Sequence, residues 1–412
     1  MSMIRPFRGL RPRKEFAHRI ASPPYDVLDS DEARDIVKDN PLSFLRVVKP
    51  EVDLEPGVDL YSDDVYRQGA VNLRRLVEDG LMEQDRAPYL YFYRQVMGGH
   101  SQTGLVACVS AEEYDRDLIR KHEYTRKAKE EDRIRHITSQ NAQAGPVFLT
   151  YRDVPAIDRV EKRITSGEPE YDFTAPDGVR HTLWVVEDEG DIETLVTDFR
   201  NDVPYLYVAD GHHRSASGAI VAKRRREANP NHTGLEEYNY ILAVIFPKSQ
   251  LRILPYNRVV QDLNGMTPER FLEAASRSFI VTRSGKASPL EAREFSMYLE
   301  GQWYTLVPRE GTYEKDDPVE SLDVSILQKN MLEPLLGITD PRTSERIDFI
   351  GGIRGTGELV RLVDSGRFAV AFSVYPTSLD QLLSVADSGR VMPPKSTWFE
   401  PKLRSGLVVH GL

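Results

Sequence analysis

One stretch constrains the fold more than any other: Tyr205-Leu-Tyr-Val-Ala, then Asp210-Gly211-His212-His213-Arg214, then the Ala- and charge-rich run Ser215 to Glu227. The apolar, aromatic run reads as a buried strand, and the run that follows reads as a helix. Asp-Gly is a turn signal, so the chain here must pass from strand through a tight turn into a helix. Several backbone N–H groups at a helix start have no intrahelical acceptor. With Arg214 they are expected to form a site for phosphate or carboxylate. Asp210, at the strand end, is the candidate Mg²⁺ ligand or proton acceptor. The structural alternative is a capping Asp210 with packed histidines. Five consecutive residues, all ionisable except Gly211, directly after an apolar strand favour a working turn.

The bulk numbers narrow the class. A chain of 412 residues predicts two or three domains, and 40 % hydrophobic residues supply a sizeable core. The net charge of -10 argues against broad nucleic-acid binding. Cys108 is the one cysteine, which excludes an internal disulfide and a thiolate metal cluster. It lies in Gly104-Leu-Val-Ala-Cys-Val, which reads as a buried strand with an inert thiol. The N-terminal residues carry no apolar signal region, and no run approaches membrane-spanning length. The expectation is a soluble, cytoplasmic protein with no membrane partner, its oligomeric state unspecified.

A second stretch, Ile119 to Asn141, carries His122, Lys127, Lys129, Asp132, Arg133 and His136 with almost no apolar stripe. Read as one helix, it places Lys129, Asp132 and His136 on a shared face with Arg133 beside it. The plain alternative is a solvated helix laced with ion pairs. Upstream, Ser22-Pro-Pro-Tyr-Asp-Val27 is a rigid extended segment that presents Tyr25 and Asp26. Asp29 or Ser30 is expected to cap a helix over 31–38. Strands are expected over 42–48, 88–97, 102–111, 146–151, 238–246 and 251–260, with a hairpin turn at Gly98-Gly99. Further on, a short helix is expected over 291–295 and a long one over 318–332. Lys395-Ser396-Thr397 lies in the tail without the glycines of a phosphate loop. Helices and strands alternate irregularly and no dinucleotide fingerprint is present, which predicts a mixed α+β fold. Residues 1–262 are expected to carry the site and 263–412 to form a C-terminal α+β region, with Lys395 reaching back to the site.

Taken in order, Ser-Pro-Pro-Tyr-Asp-Val, Asn-Pro-Leu-Ser-Phe-Leu-Arg-Val, His-Glu-x-Thr, Asp-Arg-x-x-His, Ala-Asp-Gly-His-His-Arg and Met-Pro-Pro-Lys-Ser-Thr resemble the prokaryotic domain-of-unknown-function family numbered 1015. That family name implies no activity. Gly-His-His-Arg and its Ala-rich helix also resemble, over about ten residues, the phosphate-binding box of the ParB and sulfiredoxin superfamily, which includes free-serine kinases. This second resemblance implies phosphate binding by His212, His213 and Arg214 and an acidic residue that activates a hydroxyl; no motif maps that acid here, and Asp210 and Asp26 are the candidates. The expected function is a small-molecule phosphotransferase, acting on serine or a similar hydroxy amino acid with nucleotide or pyrophosphate as donor. Phosphoryl transfer needs cationic cradling, a metal carboxylate and a base for the hydroxyl. The assigned roles are Asp210 for Mg²⁺, Asp132, His136 and His213 for proton handling, and Gly211, His212, Arg214, His122, Lys127, Arg133 and Lys395 for the phosphate compound. The alternatives are a metal-dependent phosphohydrolase and a nucleotide-binding regulatory protein without catalysis.

Overall fold

The computed structural model describes residues 2–412. It divides into two compact units, Met1–Leu251 with Pro401–Leu412, and Arg252–Glu400. Both mix sheets with flanking helices, the α+β class that the irregular alternation predicts.

The first unit is built on a nine-stranded mixed sheet. Its strands are β1 (Ile4–Arg5), β2 (Leu90–Met97), β3 (His100–Ser110), β4 (Ile119–Arg120), β5 (Val147–Tyr151), β6 (Tyr171–Thr174), β7 (Arg180–Val186), β8 (Leu206–Asp210) and β9 (Tyr240–Pro247). The order is β4-β8-β5-β9-β3-β2-β7-β6, with β1 on the far end of β3. β8 runs parallel to β4 and antiparallel to β5, and β5 runs parallel to β9. Leu105, Ala107, Leu149, Val208, Ala243 and Ile245 form the centre of one core, and helix residues Leu195, Phe199, Ala216 and Ala219 pack on it. Cys108 is fully buried in β3, and burial pushes its thiol up, so it is inert. Three helices bear on the site: α1 (Asp63–Glu78), α2 (Lys127–Gln140) and α3 (His212–Ala228). α1 buries an apolar stripe of Val65, Tyr66, Leu73 and Leu76. α2 instead buries Asp132 and His136 beside Ile134, a polar inner face. A second, four-stranded sheet joins Met82–Gln84, Gly9–Pro12, Val409–Gly411 and Ala142–Gln143 in that order, so the chain's last residues close the first unit.

The second unit holds a six-stranded antiparallel sheet, ordered Phe279–Ser284, Gln302–Pro308, Phe295–Leu299, Val370–Val374, Tyr256–Val260, Ile347–Gly351. Its core centres on Phe271, Phe279, Phe295, Met297, Leu327, Met331 and Phe372.

Five local expectations need correction. Leu42–Val48 is not a strand: Leu45–Val48 forms one helical turn, started by Ser43, whose hydroxyl accepts from the Leu45 N–H. Burial of Phe44, Leu45, Val47 and Val48 overrides the β preference of the phenylalanine and the two valines. The strand expected over 251–260 is broken into Ile253–Leu254 and Tyr256–Val260 at Pro255, which has no N–H to give a ladder. The short helix over 291–295 is absent; Arg293 takes a φ of 71°, its N–H bonds the Asp323 carboxylate, and Phe295 opens a strand. The long helix over 318–332 shrinks to Asp323–Leu327 and a π-turn, because Asp317 accepts from the N–H groups of Val319 and Glu320 and holds a turn there. Residues 119–141 are not one helix either. Ile119–Arg120 is captured as a strand by β8, and the helix begins at Lys127.

Candidate functional site

The central turn has three built-in irregularities. First, β8 carries a bulge: Val208 pairs with Leu149 and Asp210 with Phe148, so Ala209 is the extra residue. A bulge breaks the two-residue alternation and re-aims the side chain after it, here Asp210. Second, Gly211 takes a φ of 90°. A Cβ there would stand 3.0 Å from Arg214 Nε, so both the backbone angle and the close approach require glycine. Third, α3 opens at His212 itself, three residues before the alanine run that signals it, and no side chain caps it. His212, His213 and Arg214 therefore occupy its first turn, where N–H groups face outward unpaired by the helix.

Asp210 collects two cations on one oxygen. Lys402 Nζ lies 3.4 Å from Oδ2 and Arg214 Nη2 3.5 Å from the same atom. Burial alone would raise the Asp210 pKa; Lys402 and Arg214 outweigh it and hold the carboxyl well below the usual carboxylate range. Arg214 is itself buried and donates to the Pro146 carbonyl, and its Nη2 lies 3.7 Å from Asp26 Oδ2. Burial opposes the guanidinium charge, and Asp26 with Asp210 more than restores it. One guanidinium thus holds two carboxylates, one from the bulged strand end and one from the Pro-Pro segment. That segment is pinned at its start by two backbone bonds between Ser22 and Ser405, 3.0 and 2.9 Å long.

The other sequence candidates fall into distinct places. His122 packs edge-to-face on His212 with ring centroids 4.4 Å apart, both buried. Burial pushes His122 down to about 4 and His212 well below its ordinary value, so both are neutral near pH 7. His213 is half-buried and its Nε2 accepts from the Arg126 N–H at 3.0 Å. On α2, Asp132 accepts from the Tyr66 hydroxyl at 3.0 Å and from Arg133 at 2.6 Å, and lies 3.8 Å from His136 Nε2. Burial, helped by Arg133, Arg135 and Lys49, keeps His136 neutral. Lys129, expected on the Asp132–His136 face, is exposed and instead approaches the Tyr61 hydroxyl at 3.4 Å. Arg133 stacks over the Tyr25 ring at 3.9 Å and so joins α2 to the Pro-Pro segment. Tyr25, Arg133, His136, Gln140, Arg214 and Ser405 line a cavity of about 50 Å³, room for a few waters and too small for a nucleotide. Lys127 is exposed at the start of α2. Lys395 belongs to the second unit, where its Nζ lies 5.5 Å from the Tyr256 ring centre.

Lys402 is the residue that sequence reading passes over. Its partner lies 192 residues away along the chain, and Pro401-Lys402-Leu403 has no motif. The one available signal was its place shortly after the Met-Pro-Pro-Lys-Ser-Thr motif.

The chain belongs to the family described as protein of unknown function, DUF1015, whose model matches residues 4–325. No curated protein matches it. Among solved structures it is similar to a free serine kinase in complex with AMP, at 13% identity and a TM-score of 0.36 over 73% of this chain and 91% of that one. It is also similar to a conserved hypothetical protein from Pyrococcus furiosus, at 11% identity and 0.36 over 73% and 93%. A third is SbnI with a C-terminal truncation from Staphylococcus aureus, at 12% identity and 0.38 over 73% and 85%. Among the described residues no helix is long and apolar enough to cross a membrane.

Proposed function

We propose that the Asp210–Arg214 turn is the phosphate site of a small-molecule phosphotransferase, with a nucleotide or pyrophosphate as donor and a small hydroxylated acceptor such as a hydroxy amino acid. The observation that carries this reading is the convergence of an ionised carboxylate, the Lys402 ammonium and the uncapped start of a 17-residue helix at one bulged strand end. Phosphoryl transfer asks for little besides positioning and charge neutralisation, and those are what the turn supplies.

Mg²⁺ fits this donor set. Both protein cations sit on Asp210 Oδ2 rather than Oδ1. Among the described residues no three His, Cys, Asp or Glu side chains gather closely enough to cage an ion. One carboxylate completed by phosphate oxygens and water is the usual way proteins hold Mg²⁺. The ion would be held by Asp210 and would neutralise phosphate charge. Arg214 keeps Asp26 and Asp210 in place. Asp26 takes the proton from the acceptor hydroxyl; the freed oxygen bonds to the terminal phosphorus as the bond to the leaving phosphate breaks. Lys402 and the N–H groups of His212 and His213 balance the charge that builds up on the departing oxygen.

The test is phosphorus NMR of the protein incubated with Mg²⁺, a phosphate donor (ATP, ADP or pyrophosphate) and serine or threonine. The reading expects donor consumption and a new phosphate monoester signal, both lost in Asp210→Asn. Inorganic phosphate alone, formed equally without the acceptor, would replace transfer with hydrolysis. No turnover by the wild type with any donor would reduce the turn to a binding site.

A further inference from the structure

Lys402 reaches Asp210 from a tail that lies beyond the residues matched by the family, which end at 325. A lysine is a poor fixed point, because its long stem rotates freely unless its backbone is held. Here the backbone is held twice. Gln95 Nε2 donates to the Lys402 carbonyl at 2.7 Å. Gln102 Nε2 donates to Gln95 Oε1 at 3.0 Å and to the Pro401 carbonyl at 3.4 Å. Both glutamines are 0% exposed and sit opposite each other in the β2–β3 hairpin. Two residues further on, Arg404 Nε lies 3.2 Å from His181 Nε2, and His181 Nδ1 lies 2.7 Å from the Tyr93 hydroxyl. Tyr93 and His181 are buried and lie on the paired strands β2 and β7.

Such a cluster is costly to bury unless its donors and acceptors match. The strand Val409–Gly411 already ties the tail into the four-stranded sheet. Two amides buried in the large sheet and directed at residues 401 and 402 do something that strand cannot: they fix the point from which the Lys402 side chain starts. We infer that Gln95 and Gln102 are positioning residues that hold the Lys402 ammonium on Asp210. The inference rests on the reading of Asp210 and Lys402 as the phosphate site, and it adds which residues build the Lys402 arm.

Two readouts separate the inference from that reading. The first needs no ligand: acetylation of Lys402 by acetic anhydride, followed by mass spectrometry, with exposed Lys223 as internal reference. The Lys402 side chain is only 16% exposed where it lies against Asp210, so freeing it by Gln95→Met is expected to raise the relative Lys402 rate by roughly fivefold or more. An unchanged ratio overturns the inference, whatever the protein binds. The second is a double-mutant cycle on pyrophosphate binding with Mg²⁺. Gln95→Met and Lys402→Ala are each expected to weaken binding, and the double variant to be no weaker than Lys402→Ala alone. Additive losses overturn the inference. A wild type that binds no pyrophosphate, yet shows the acetylation change, removes the phosphate reading and leaves the positioning intact. Should Gln95→Met fail to fold, Gln102→Met, which removes only the outer amide, is expected to give the same acetylation change in smaller measure.

Discussion

At the scale of single residues, Gly211 and Asp210 bear the constraints of the central turn. Gly211→Ala forces a Cβ into a left-handed angle and toward Arg214 Nε at 3.0 Å. The clash is with the far end of a flexible side chain, so the strain dominates, and the expected loss is about 1–2 kcal/mol by urea denaturation. The Asp210→Asn change leaves Lys402 and Arg214 short of a counter-charge and is expected to cost about 1–3 kcal/mol at pH 7. Its pH dependence has a fixed sign. A depressed carboxyl contributes stability that is complete above its unfolded value and fades as pH falls through its native one. The gap between wild type and Asp210→Asn should therefore stay constant from pH 8 to 5 and close only below about pH 4. A gap that widens on acidification would contradict the ion pairs described.

At the scale of elements, the strand–turn–helix was legible because each part has a local cause: an apolar run, Asp-Gly, an alanine-rich run. The Ala209 bulge was not, since a bulge exists only relative to the strand beside it, and β5 lies far upstream, at Val147–Tyr151. The polar inner face of α2 was half legible. The spacing puts Asp132 and His136 together, as found at 3.8 Å, but placed Lys129 with them, and only tertiary packing decides which of the three faces inward. The tail offers a prediction at this scale. Gly406 has a φ of 89°, and a Cβ there would meet Phe44 Cγ at 2.6 Å and Cβ at 2.8 Å, atoms near the root of a fully buried ring. Gly406→Ala is thus expected to cost at least about 3 kcal/mol, more than Gly211→Ala, because nothing there can swing aside. It should also expose Lys402 to acetylation, since the tail loosens on both sides of it.

At the scale of the whole molecule, the two units should answer acid in opposite ways. In the first unit, burial keeps His122, His136, His181 and His212 below their ordinary values, so the unfolded chain takes up protons that the native one refuses. Stability is complete above about pH 6.5 and falls as pH drops toward 4; His122 alone accounts for about 2 kcal/mol at pH 5. In the second unit, burial lifts Asp323 to about 6 despite two bonds from the Arg293 N–H. The native state there keeps a proton that the unfolded chain loses, so that contribution fades as pH rises from about 4 through 6. Hydrogen exchange at pH 5.0 and 7.5 should show peptides of the first unit opening more readily in acid, and Asp323→Asn should flatten the opposite trend in the second. The length of the chain predicted two or three domains, but no composition shift marks the point where Pro401 returns the chain to the first unit. That return is why Lys402 escaped notice: a contact spanning 192 residues leaves no trace in spacing or periodicity.

The most direct test of the central claim is a calorimetric titration of wild type, Lys402→Ala and Asp210→Asn with pyrophosphate in the presence of Mg²⁺. Saturable binding to the wild type is expected, weakened about tenfold or more by removing the Lys402 ammonium, and lost together with its Mg²⁺ dependence in Asp210→Asn. Equal affinity in all three proteins, or no binding to any, would contradict it.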